Sequence, residues 1–317
     1  MGGVTRADVE AAATRLGTDV HRTPVLTSRM LDARSGRELF FKCEHLQRTG
    51  SFKLRGALNA VRCLHPDAAA RGVITDSSGN FGQALAAAGA AAGVDVTVVM
   101  PEDAPKVKQA AVRGYGGRVV PCPATLTGRK ETVQRLAAEL GATYVSSNDH
   151  PDIIAGQGTA ALELLAEVPS LDAVITSVGG GGLLGGTAVV GSSAAPPVPV
   201  FGAEPRGADD TARSLVAGRH LPAGDHQSVA KGLLVGMGRH PWRIIQSQVA
   251  DVIVVDEEAI VAAMHMLWER MKQVVEPSAA VPLAAVLSGD IPATHRRIGV
   301  VLSGGNVDLD TLPWQRR

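Results

Sequence analysis

The chain has 317 residues, 45% of them hydrophobic, with 31 basic side chains against 31 acidic ones. That length suits two domains or one large α/β unit, and the balanced charge without a five-residue basic run gives no electrostatic footprint for nucleic acid or an anionic membrane. A small-molecule partner is expected, and the lack of a signal-like N-terminus or a bilayer-length apolar run makes the cytoplasm the default location.

A helix is expected from Thr5, where Thr5 and Asp8 form a capping box ahead of Val9, Ala12, Ala13 and Leu16. Short β-rich runs follow at Leu39 to Lys42, Gly72 to Thr75, Val94 to Met100, Arg118 to Pro121 and Thr143 to Ser146. Others lie at Ala173 to Ser177, Val198 to Ala203, Val252 to Val255 and Ile298 to Leu302, with helical segments between them. The runs are apolar throughout, so the fold class is α/β with mostly parallel sheets covered on both faces. Ser192 to Pro199 reads as a loop from its clustered Ala and Pro. Cys43, Cys63 and Cys122 fit neither a disulfide framework nor a zinc pattern, and are expected to be buried free thiols.

Lys53 follows the small and hydroxylated residues Gly50 and Ser51, and opens a helix whose Leu54, Ala57, Leu58, Val61 and Leu64 share one face. A lysine held there out of bulk water has a lowered pKa and offers a neutral amine for carbonyl chemistry. The strand Val73-Ile74-Thr75 runs into Ser77-Ser78-Gly79-Asn80, with an Ala-rich helix expected from about Gly82. That loop can hold a substrate carboxylate on backbone N–H groups while Asn80 reaches a cofactor oxygen.

Gly179-Gly180-Gly181-Gly182 follows the strand ending at Ser177, so residues without side chains present N–H groups to a phosphate at a helix start. The same segment contains G-x-G-x-x-G at Gly180, Gly182 and Gly185, with Glu204 about twenty residues on, which keeps a nicotinamide-binding oxidoreductase open. Ser303, ahead of Gly304 and Gly305, places a hydroxyl at a strand's carboxyl end. A serine facing a pyridine nitrogen does not protonate it, and the weaker electron sink suits elimination or racemisation better than transamination. Ala203 to Asp210 offers carboxylates and carbonyls for a hard cation such as Mg²⁺ or Ca²⁺.

Together these segments resemble the fold type II pyridoxal phosphate enzymes, specifically the serine/threonine dehydratase and serine racemase family, from about Thr23 to Asp308. The resemblance implies two parallel-sheet-rich α/β domains with pyridoxal 5'-phosphate in the cleft between them. Residues 1–71 and 148–317 would form the large domain, and 72–147 a small one that closes over substrate. Lys53 would bind the cofactor covalently, with Phe52 and Asn148 beside it and Asn80 on its phenolic oxygen. Gly179, Gly180, Gly181 and Gly182 would wrap the phosphate, Ser303 would face the ring nitrogen, and Glu276 would line the site. Ser77, Ser78, Gly79 and Asn80 would bind substrate, Ser78 would act on its opposite face, and Arg129 would lie near an acidic group of the substrate.

The resemblance further implies a divalent cation on Glu204, the Ala208 carbonyl and Asp210, and a homodimer. The implied activity is deamination of L-serine or L-threonine to a 2-oxo acid and ammonia, with serine racemisation or 3-hydroxyaspartate ammonia-lyase action as alternatives. Cysteine synthase relatives carry Thr-Ser-Gly-Asn-Thr-Gly where Ser77-Ser78-Gly79-Asn80 stands here, which argues against β-replacement. Three positions depart from the family pattern: Phe81 where histidine is usual, Lys231 where many members have aspartate, and Ala279 where glycine is usual. The chain runs only a short way past the Ser303 loop, so a C-terminal regulatory domain and isoleucine feedback are not expected.

Overall fold

The structure is a computed structural model that describes residues 3–77, 79–104 and 106–315. Among the described residues ten strands form two sheets: β1 Val25–Leu26, β2 Glu38–Lys42, β3 Val73–Thr75, β4 Val96–Pro101, β5 Arg118–Cys122, β6 Thr143–Tyr144, β7 Ala173–Ser177, β8 Val200–Pro205, β9 Asp251–Val255 and β10 Arg297–Val301. The six-stranded sheet runs β1-β2-β10-β7-β8-β9 and the four-stranded sheet β5-β4-β3-β6. Every pairing is parallel except β1 with β2. β3, β4, β7 and β8 are buried at every position, which is why their sequences read as apolar runs without alternation.

The capping box at Thr5 is present and starts the helix Arg6–Leu16. The Ala-rich helix begins at Asn80, two residues before the expected Gly82, so the Asn80 side chain belongs to its first turn. The short antiparallel β1 carried no periodic signal. Cys43 and Cys122 are buried, but Cys63 is exposed: it follows the last turn of its helix, past the apolar face. Among the described residues no helix is long and apolar enough to cross a membrane.

The helix Lys53–Arg62 packs against both Asn80–Ala92 and Pro151–Glu167, so it touches elements of both sheets. Its crossing with Pro151–Glu167 is backbone against backbone at Gly156, while Gly56 also takes the Gln157 side chain. A Cβ on Gly156 would lie 2.6 Å from the Arg55 carbonyl oxygen and the Gly56 Cα, and one on Gly56 would lie 2.9 Å from the Ile153 carbonyl oxygen. Arg55, fully buried, reaches away from this crossing to Glu44 at 2.8 Å and Glu163 at 2.6 Å, and Glu163 also meets Lys42 at 2.7 Å. The buried ion network fixes the helix to the end of β2 and to the helix Pro151–Glu167.

Candidate active site

Lys53 is held from two sides. Behind it, Ser51 pairs with Gly304 in an isolated bridge and the Phe52 N–H donates to the Ser303 carbonyl at 3.1 Å, tying the helix start to the loop after β10. In front, Lys53 Nζ donates to the Ser147 carbonyl at 3.2 Å and lies 4.9 Å from the centre of the Phe52 ring and 6.0 Å from that of Phe81. Burial in these surroundings brings the ammonium down to about 8, with the Glu276 carboxylate opposing the shift.

Ser147 leads to the glycine loop. Its hydroxyl donates to Asn148 Oδ1 at 3.0 Å, and Asn148 Nδ2 donates to the Gly180 carbonyl at 2.8 Å. A Cβ on Gly180 would overlap the Asn148 amide. Gly181 has φ +84° and caps the helix Gly182–Ser192 with no side-chain hydrogen bond, leaving the first N–H groups of that helix for an anion. Ser303, buried after β10, has its hydroxyl 3.5 Å from that of Ser177, the last residue of β7. Ser177 was not expected at the site; its place directly before the glycine loop was the available signal.

On the four-stranded side, Asn80 Nδ2 donates to Glu276 Oε1 at 2.9 Å and Asn80 Oδ1 accepts from Asn306 Nδ2 at 2.9 Å. Asn306, which closes the Ser303-Gly304-Gly305-Asn306 stretch, also donates to the Thr49 carbonyl at 2.8 Å. Burial pushes Glu276 up to about 7, against the opposing influence of the Asn80 hydrogen bond, Lys108 and Lys53. Ser77 is half-buried and its hydroxyl accepts from the Gly79 N–H at 3.4 Å, and Gly79 precedes the helix in extended conformation. Ser78 lies outside the described residues.

Arg129 sits in the first turn of the helix Leu126–Leu140, following β5 on the carboxyl edge of the four-stranded sheet. Its Nε is buried without a hydrogen-bond partner among the described residues. Of the departures, Phe81 faces Lys53, Ala279 is fully buried and Lys231 is exposed.

The expected cation site differs in its arrangement. Glu204 and Asp210 are buried, as is Ala208, but Glu204 accepts from the Thr211 N–H at 3.2 Å and the Ala212 N–H at 3.0 Å. Asp210 accepts from the Met237 N–H at 3.3 Å and lies against His226. Among the described residues no three His, Cys, Asp or Glu side chains assemble into a group that could hold a metal ion. The residues as placed do not fit Mg²⁺ or Ca²⁺, because main-chain N–H groups engage both Glu204 oxygens and Asp210 Oδ2, and an imidazole crowds Asp210 Oδ1.

Residues 16–304 match the family described as pyridoxal-phosphate dependent enzyme. The chain belongs to that family. It is 46% identical over 317 residues to a serine racemase of Dictyostelium discoideum, covering 98% of each chain, and the crystal structure of that racemase superposes with a TM-score of 0.93 over 96% of this chain and 99% of that one. It is 43% identical to a β-hydroxyaspartate dehydratase of Paracoccus denitrificans (strain Pd 1222), covering 98% of each chain. A pyridoxal 5'-phosphate-dependent aspartate racemase structure is similar with a TM-score of 0.93 and 40% identity, covering 99% of each chain.

The protein is therefore a fold type II pyridoxal phosphate enzyme, a lyase or a racemase. Its residues fit the cofactor: an amine of lowered pKa, a side-chain-free helix start for a phosphate, and a buried hydroxyl pair at Ser177 and Ser303. The nicotinamide reading of Gly180 to Gly185 falls on the same geometry, since Glu204 turns its carboxylate into the helix Asp210–Ala217 and cannot meet a ribose.

Proposed function

We propose that this enzyme eliminates water from a small L-β-hydroxy amino acid, serine or threonine, and that the released enamine takes up water to give a 2-oxo acid and ammonia. The observation that carries the reading is the Lys53 amine, brought down to about 8 beside Phe52 and Phe81 and one carbonyl away from the glycine loop. Pyridoxal phosphate, when bound, supplies the electron sink that acidifies the Cα hydrogen. Lys53 Nζ takes that proton as general base, and its lowered pKa keeps a useful fraction neutral near pH 7 to 8. Gly179 to Gly182 would hold its phosphate through main-chain N–H groups, Ser303 would meet the ring nitrogen without protonating it, and Asn80 would bond the phenolic oxygen.

Ser77, Gly79 and Asn80, with Ser78, receive the substrate carboxylate. The two phenylalanine rings keep water from the amine. Residues 72–147 act as the closing unit over the large one, and the working form is a homodimer. A 2-oxo acid assay with L-serine and L-threonine tests the reading, and Lys53→Ala must abolish turnover together with the visible absorbance of the loaded protein. Chiral analysis of recovered serine separates elimination from racemisation, the activity named for the Dictyostelium relative.

A second reading takes L-threo-3-hydroxyaspartate as substrate. It is supported by the buried Nε of Arg129, a cationic donor with no hydrogen-bond partner among the described residues, and by the activity named for the Paracoccus relative. Comparing hydroxyaspartate with serine in the same assay decides between the two.

A further inference from the structure

The cation site that does not assemble has a resident of its own. His226 lies in the segment after the helix Asp210–Ala217, yet its side chain is only 7% exposed and that of Asp210 only 3%. His226 Nε2 stands 3.1 Å from Asp210 Oδ1, close enough to pair with it as an imidazolium though not aligned as a hydrogen bond, and has no hydrogen-bond partner among the described residues. The second oxygen, Asp210 Oδ2, accepts from the Met237 N–H. Beside them Glu204 spends both oxygens on the start of its neighbouring helix. A hard divalent cation requires six or more oxygens, several of them carboxylate or water, and a buried imidazole against the principal carboxylate removes both the ligand and the room.

We propose that His226 takes the place of a divalent cation at Asp210, so that the enzyme folds and holds its cofactor without one. The consequence reaches the active site through Met237. Its N–H is held by Asp210, its side chain packs on Gly181 where a Cβ would collide with it, and the next N–H, of Gly238, donates to the Gly180 carbonyl at 3.1 Å. The contact between His226 and Asp210 thus positions the phosphate-binding loop from outside it.

The test is a melting series on the cofactor-loaded enzyme in EDTA and in millimolar MgCl2, CaCl2 or MnCl2, with cofactor affinity read by absorbance. The wild type is expected to keep its Tm within about 1 °C throughout, because a ligand that does not bind the native state does not stabilise it. His226→Ala, which leaves Asp210 buried without its partner, is expected to melt lower in EDTA and to recover by about 2–4 °C or more when one of the cations is added. Its affinity for pyridoxal phosphate should follow the same pattern, whereas His226→Gln, which keeps a donor near Asp210, should resemble the wild type.

A wild type that gains stability from a cation, or that is purified with stoichiometric metal, overturns the proposal. So does a folded His226→Ala whose melting ignores all three cations. Should His226→Ala not fold, the wild-type series and His226→Gln decide the matter by the same criteria.

Discussion

Asn80 donates to Glu276 across 2.9 Å, joining the first residue of a helix beside the four-stranded sheet to the residue that caps the helix Pro277–Ser288 of the six-stranded side. The contact lies near Lys53, whose charge acts on the Glu276 carboxyl. Its strength follows the protonation of Glu276, whose pKa is raised by burial to about 7.

The first prediction follows from that shift. A carboxyl whose folded pKa is raised contributes stability that is fully present below its ordinary value of 4.5 and is lost as pH rises through about 7. Glu276→Gln, neutral at every pH, lacks this dependence. In cofactor-free protein the Tm of the wild type relative to Glu276→Gln should fall between about pH 4.5 and 7 and then level off; a difference that does not change with pH would refute the assignment.

Lys53 shifts the other way. Only the neutral amine attacks a carbonyl, so the rate at which cofactor-free protein captures pyridoxal phosphate should climb with pH and level off above about 8. Stopped-flow absorbance reads the rate. A midpoint near the ordinary lysine value of 10.5 would mean that burial does not act on this amine.

Gly180→Ala drives a methyl group into the Asn148 amide. Affinity for pyridoxal phosphate should weaken by about tenfold or more, equivalent to about 1.4 kcal/mol. Pairing it with Asn148→Gly, which removes the obstructing amide, should restore part of the loss in an equilibrium titration; a double variant no better than the single one would show that the collision is not the cause.

Arg55→Met leaves Glu44 buried without its partner and should cost about 3–5 kcal/mol in urea unfolding. Arg55→Met with Glu44→Gln removes the orphaned charge as well and should be milder than the single change.

Arg129→Ala tests the diacid reading. Loss of a charge-assisted hydrogen bond of about 1.5–3 kcal/mol should lower kcat/KM for L-threo-3-hydroxyaspartate by about 10- to 100-fold relative to that for L-serine. Equal losses on both substrates would remove Arg129 from the distal carboxylate.

The sheets were legible because buried parallel strands must be apolar throughout, and the glycine loop and Lys53 because main-chain anion sites and helix starts leave local marks. β1 was not, being two residues whose pairing is set by β2 and not by their own pattern. Ser177 joins the site through a contact between segments far apart in the chain, which no spacing encodes. His226 is the sharpest case. Glu204, Ala208 and Asp210 matched a cation pattern, and what alters the site enters from a loop whose own composition gives no hint of it.

The crossing at Gly56 and Gly156 bears on how such an enzyme can change. At Gly156, where main chain meets main chain, no rotamer is available to absorb a substitution, and a single added methyl group acts as a wedge. The position of the Lys53 amine is thereby a property of the backbone, indifferent to gradual replacement of the surrounding apolar side chains. Drift in the core alters how long the protein lasts, while new substrates are left to be found among the residues facing the amine from the other side, Phe81 first among them.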